Sequence, residues 1–105
     1  MKILFDQGTP VPLRRYLPGH FIDTAYEKGW SALTNGDLLK IAEQESYELL
    51  ITTDRNLRYQ QNLTTRQIAI VVLLSTSWPR IQRQTDRIQA LVESVIPGEY
   101  HEVSI

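Results

Sequence analysis

The stretches Leu49-Leu50-Ile51-Thr52-Thr53-Asp54 and Ile68-Ala69-Ile70-Val71-Val72-Leu73-Leu74 decide the fold class. Both are continuously apolar rather than alternating, which is how strands buried on both faces read. Working outward, Lys2 to Phe5, Phe21 to Ala25 and a weaker run from Tyr100 to Ile105 are further strand candidates. Helical spacing fills the gaps. Pro12 to Leu17 is a short helical segment, and Asp37 to Ser46 sets Leu38, Ile41 and Ala42 on one face with Leu39 beside them. Pro79 to Val95 reads as one long helix, with Ile81, Ile88, Leu91, Val92 and Val95 on its apolar side, Pro79 in the first turn and Pro97-Gly98 closing it. Strands alternating with helices imply crossover units and a mostly parallel sheet covered on both faces. No internal repeat or linker divides the 105 residues, so a single domain over 1–105 is expected.

Composition removes several kinds of chemistry. Eleven Lys plus Arg nearly balance twelve Asp plus Glu, so no global charge draws the chain to nucleic acid or to an anionic membrane. With no cysteine there is no disulfide framework, thiolate zinc site or thiol nucleophile. Ile68 to Leu74 is the longest apolar stretch, well short of the roughly 20 residues that a helical membrane span needs. Met1-Lys2-Ile3-Leu4-Phe5 reaches Asp6 before a signal-peptide core could form, so the expected location is the cytoplasm, with no membrane partner. Gly8, Gly19, Gly29, Gly36 and Gly98 are too scattered for a P-loop or a dinucleotide fingerprint.

Three acids stand at informative places. Asp6 follows the first strand, Asp54 follows Leu50-Ile51-Thr52-Thr53, and Asp37 opens a helix after Thr34-Asn35-Gly36. In an open parallel sheet the carboxyl ends of the strands form the binding crevice, so the three carboxylates are expected to share one site. Each also has a plainer role. Thr34-Asn35-Gly36-Asp37 fits a capping box, and Asp6 and Asp54 each suit a turn. Converging carboxylates repel one another unless a cation compensates, and a hard oxygen donor set selects Mg²⁺ or Mn²⁺. Asn56 can add a neutral carbonyl oxygen, and a metal so held suits phosphodiester hydrolysis.

The order Ile3-Leu4-Phe5-Asp6, Asn35-Gly36-Asp37-Leu38-Leu39 and Leu50-Ile51-Thr52-Thr53-Asp54-Arg55-Asn56-Leu57 resembles the short PIN-like proteins, relatives of PIN-domain ribonucleases and VapC-type toxins. The match runs from about Lys2 to Leu74. The resemblance implies a three-layer α/β/α fold, a divalent metal held by Asp6, Asp37 and Asp54, RNA as substrate and a small antitoxin protein as partner. Two departures bear on metal affinity. Many relatives carry Asp-Glu after the first strand and Asp-x-Asp-Phe after the later one, whereas this chain has Asp6-Gln7 and Asp54-Arg55-Asn56-Leu57.

Arg55 and Arg58, close after Asp54, are the first candidates to meet RNA phosphates, with Arg14 and Arg15 as additional contacts. Arg80, Arg83 and Arg87 form a basic stripe best read as a solvated face. Trp30 and Tyr59 could stack on bases, although packing within the protein is the simpler use of each ring. His20 and His101 have no Ser or Cys partner nearby in sequence and receive no chemistry. Two functions follow: a Mg²⁺- or Mn²⁺-dependent ribonuclease, for which the resemblance implies the toxin role in a toxin–antitoxin module, or a PIN-like interaction module, catalytically weak or inactive, that forms a homodimer or holds a protein partner. A metal-free RNA-binding domain using the arginines is a third and weaker alternative.

Overall fold

A computed structural model describes residues 1–60 and 62–105. Its centre is a five-stranded sheet built from β1 (Lys2–Phe5), β2 (Phe21–Thr24), β3 (Leu49–Thr52), β4 (Ala69–Leu73) and β5 (Tyr100–Val103), in the order β2-β1-β3-β4-β5. Every neighbouring pair is parallel, with Leu4 beside Asp23 and Leu50, and Ile51 beside Val71. Side chains alternate across a strand, so each continuous apolar run feeds two cores at once. Ile3, Phe5, Leu49, Ile51, Ala69, Val71 and Leu73 face one layer, while Leu4, Leu50, Ile70 and Val72 face the other.

The first layer consists of a 3₁₀ helix (Val11–Tyr16), which gives Leu13 to the core, and two helices after β4. The second holds α1 (Asn35–Gln44), through Leu38, Leu39 and Ala42, and the short α2 (Leu57–Gln60), through Leu57. The result is a three-layer α/β/α arrangement. Thr34 caps α1, its hydroxyl oxygen accepting the Asp37 N–H at 3.3 Å. No helix among the described residues is long and apolar enough to cross a membrane.

One expected element is divided. Pro79 to Val95 forms α3 (Trp78–Gln82) and α4 (Thr85–Ser94) instead of a continuous helix. The Thr85 hydroxyl donates to the Gln82 carbonyl at 3.2 Å, where an unbroken helix would use the Asp86 N–H, and Gln84 leaves helical geometry with φ −112° and ψ 14°. The apolar stripe survives the break, because Ile81, Ile88 and Val92 remain buried. Arg80, Arg83 and Arg87 all face solvent, and two of them reach back to the chain's end: Arg80 donates to Ile105 O at 2.9 Å and Arg87 to Ser104 O at 3.0 Å.

The approach to β4 is fixed by one carboxylate. Glu43 on α1 accepts from the Arg66 guanidinium at 2.7 Å and from the Gln67 N–H at 2.8 Å. Burial alone would raise the Glu43 carboxyl, but Arg66 and the Gln67 and Ile68 N–H groups outweigh it and hold the carboxyl below its ordinary value. A depressed carboxyl stabilises the fold above its unfolded pKa, and that contribution is lost as pH falls through the folded value. Acid titration of stability should therefore show a component that Glu43→Gln removes. Charge reversal at Arg83, by contrast, should change urea-unfolding stability by no more than about 0.5 kcal/mol, while Ile88→Ala should lower it by about 2–5 kcal/mol.

Candidate functional site

The strand order reverses direction between β1 and β3: the chain steps outward to β2 on one side and to β4 and β5 on the other. At such a switch point the two crossovers leave opposite faces of the sheet, and a crevice opens at the carboxyl ends of the two central strands. Asp6 follows β1 and Asp54 lies just beyond β3, so these two expected residues flank that crevice.

The link between them is Thr52, which is only 1% exposed. Its hydroxyl donates to Asp6 Oδ2 at 2.8 Å and accepts the Asp54 N–H at 3.1 Å. The Ile51 carbonyl accepts from both the Asp6 N–H, at 2.9 Å, and the Thr9 hydroxyl, at 2.8 Å, tying the loop after β1 to the end of β3. Gly8 allows that approach, since a Cβ there would come within 2.5 Å of Thr53 Oγ1. Each carboxylate oxygen of the pair carries a neutral donor. Asp6 Oδ1 accepts the Gln7 N–H at 2.7 Å, Asp54 Oδ1 the Asn56 N–H at 3.0 Å, and Asp54 Oδ2 the Asn35 side-chain amide at 2.7 Å.

Asn35 is the residue that sequence reasoning missed. The first turn of α1 meets Asp54 through this neutral amide, whereas Asp37 in the same turn is exposed, and its carboxylate makes no hydrogen bond to Asp6 or Asp54 among the described residues. Among the described residues, no three His, Cys, Asp or Glu side chains form a group that could hold a metal ion. Asn56 lies beside Asp54 through its backbone, closing an Asx turn. A polar residue just after the Thr34 cap, beside a crevice-forming strand end, was the one available signal for Asn35.

The candidate cations are engaged elsewhere. Arg14 forms a bidentate pair with Glu27, at 2.6 and 3.3 Å. Arg55 donates to Leu74 O at 3.0 Å. Arg58 lies over the Tyr59 ring, 4.7 Å from its centroid, with Tyr100 at 6.0 Å and Glu102 at 3.7 Å. Burial and a hydrogen bond to Glu102 push the Tyr100 phenol up to about 12, so it stays protonated near neutral pH and cannot serve as a base beside Arg58. Arg15 is exposed on the 3₁₀ helix, and Tyr59 is exposed too. Trp30 packs edge-on against Tyr47, with ring centroids 6.0 Å apart. No Lys, Arg or His forms an ion pair with Asp6 or Asp54 among the described residues.

No protein-family model, curated protein or solved structure matches this chain.

If Thr52 couples the two acids, Thr52→Val should leave Asp6 Oδ2 and the Asp54 N–H without a partner and destabilise the protein by about 1–3 kcal/mol. Thr52→Ser keeps the hydroxyl and should lose only about 1 kcal/mol, for the missing methyl group. Denaturant unfolding of the two variants measures the difference.

Proposed function

We propose that this protein is a divalent-metal-dependent ribonuclease whose site is centred on Asp6 and Asp54, with Mg²⁺ or Mn²⁺ as cofactor. The observation that carries the reading is a pair of carboxylates at the switch-point crevice, oriented by neutral hydrogen-bond donors and left without a cationic partner among the described residues. Two carboxylates at neighbouring strand ends, linked through Thr52 and with no cationic partner among the described residues, are an electrostatic demand that a hard cation answers.

The donor set fits such an ion. It consists of oxygens, and each carboxylate oxygen holds one hydrogen bond, which leaves it a further lone pair. Asp6 and Asp54 would hold the metal, with the Asn56 side-chain oxygen as a neutral addition; Asp37, exposed in the first turn of α1, forms no three-acid group with them among the described residues. Mg²⁺ in particular keeps several waters and needs only one or two carboxylates when substrate phosphates complete its shell. When bound, the ion would neutralise charge on a phosphodiester and activate water. The remaining work falls to this chain. Thr52 fixes the Asp6 carboxylate, Asn35 fixes that of Asp54, and the remaining N–H groups of Arg55 and Arg58 are the candidates to meet RNA phosphates after Asp54.

A second reading, the catalytically weak or inactive interaction module, is favoured by Asn35: the group that meets Asp54 is an amide rather than a third acid. Metal titration separates the two. Under the ribonuclease reading Mn²⁺ raises the melting temperature and supports RNA cleavage, and Asp54→Asn abolishes both effects. An interaction module shows neither effect at millimolar Mn²⁺. The toxin role within this reading, with RNA in the cytoplasm as target and a small antitoxin protein as partner, is tested by whether co-expressing the product of an adjacent small gene relieves growth arrest.

Asn35→Asp provides a test with a definite sign. Without metal it replaces a donor to Asp54 Oδ2 with a negative charge and should destabilise the protein by about 1–3 kcal/mol. With Mn²⁺ it should tighten binding, so stabilisation by a fixed Mn²⁺ concentration exceeds that of the parent. Calorimetric melting with and without Mn²⁺ reads both effects. An Asn35→Asp protein that is destabilised equally in both conditions counts against metal at this position.

A further inference from the structure

Beside Asp6 the surface opens into a cleft of about 330 Å³, whose walls include Gln7, Val11, Arg14, Tyr26 and Glu27. Two of its features bear on what it could hold. The first is Tyr26, whose side chain is 78% exposed at the cleft, with Val11 adding exposed apolar surface to the same lining. Each other tyrosine has a ring partner: Tyr16 packs on Trp78, Tyr47 on Trp30, and Tyr59 and Tyr100 on Arg58. Among the described residues, no ring or cation meets the face of Tyr26.

The second is the polar part of the lining. Arg14 and Glu27 form a forked pair, and Glu27 is fixed in turn by Thr24: its carboxylate accepts the Thr24 N–H at 2.9 Å, and its own N–H donates to the Thr24 hydroxyl at 3.0 Å. Arg14 is thus held rigidly, with its charge balanced, and the guanidinium retains N–H groups beyond the two used on Glu27. An anion entering this space would meet the carboxylates of Asp6 and Glu27. A flat, uncharged ring with hydrogen-bond acceptors on its edge would meet an open aromatic face and an ordered donor. Because Asp6 also lines the cleft, an RNA strand whose phosphate is held at Asp6 by a bound cation would bring a neighbouring base toward this space.

We propose that this cleft is a base-binding subsite, in which Tyr26 stacks on a nucleobase of the RNA and Arg14, held by Glu27, donates to that base's acceptor edge. The identity of the ligand as RNA rests on the ribonuclease reading; the geometry of the cleft does not. Stacking of a base on an aromatic ring tolerates any base, and with its fork on Glu27 Arg14 offers single N–H donors to whichever acceptor edge the base presents.

The test titrates the full-length, metal-free protein with guanosine 5′-monophosphate and, as a baseless control, with ribose 5-phosphate, following Tyr26 and Gln7 resonances. The nucleotide should bind about tenfold or more tightly than the control. Tyr26→Ala should bring the two affinities together, and Tyr26→Phe should restore the preference. Tyr26 is exposed, so these variants should keep the parent's circular dichroism. Equal affinity for the two ligands, or a preference that survives Tyr26→Ala, overturns the subsite. A parent protein that prefers the nucleotide through Tyr26 but cleaves no RNA with Mn²⁺ supports the subsite and removes the ribonuclease reading. RNA cleavage without that preference removes the subsite alone.

Discussion

The central strands of a parallel sheet covered on both faces can place polar groups only at their ends, and in this protein that constraint decides where the carboxylates of Asp6 and Asp54 can stand. The fully buried strands β3 and β4 carry no polar side chain except Thr52 at the carboxyl end of β3. Among the described residues the buried polar side chains are Thr9, Thr24 and Thr52, and each lies at or just after the carboxyl end of a strand. Their hydroxyls are all committed: Thr9 to the Ile51 carbonyl, Thr24 to the Glu27 N–H, and Thr52 between Asp6 and Asp54. A row of threonines converts the end of an apolar core into a scaffold for carboxylates without leaving a buried threonine hydroxyl unpaired.

The parts of this arrangement that were legible in the sequence are those set by long-range burial. Leu49 to Thr52 reads as a two-sided strand because both faces must be apolar, and the strand has those bounds. Lys2 to Phe5 is found as read, and the other strands shorten by a residue or two. What escaped was set by short-range competition. The division between α3 and α4 comes with local bonds, Gln84 N–H to the Ile81 carbonyl and the Thr85 hydroxyl to the Gln82 carbonyl, which the unbroken stripe from Ile81 to Val92 conceals. Four residues of α2 are too few for a period to show, although Leu57 anchors them in the core. At the site, attention to charge found Asp6 and Asp54 but passed over Asn35, whose role depends on a contact between α1 and the end of β3 rather than on its own type.

Arginine placement is informative for the same reason. A guanidinium beside a catalytic carboxylate would neutralise it and compete with a metal. Arg14 instead spends its fork on Glu27, Arg55 on a backbone carbonyl, and Arg58 on two aromatic rings and Glu102. Neutral donors alone reach Asp6 and Asp54. They orient the carboxylates and leave the local charge negative, which is the condition that attracts a cation and repels a bare phosphate.

The neutral residues at the rim then set how strongly that charge acts. With Gln7 and Asn56 rather than acids at the rim, and with Asn35 donating to Asp54, the two strand ends carry fewer negative charges than acids at those positions would give. Fewer charges mean less mutual repulsion, so the carboxylates can be satisfied by the Gln7 and Asn56 N–H groups, the Thr52 hydroxyl and the Asn35 amide. The same change weakens the hold on any divalent ion, because the affinity of an oxygen site rises with its charge count. Stability of the empty site and affinity of the filled one are therefore opposed through the same residues. Asn35 sits at the balance point: as an amide it stabilises Asp54 directly, and as an acid it would give up that bond in exchange for a stronger claim on a cation.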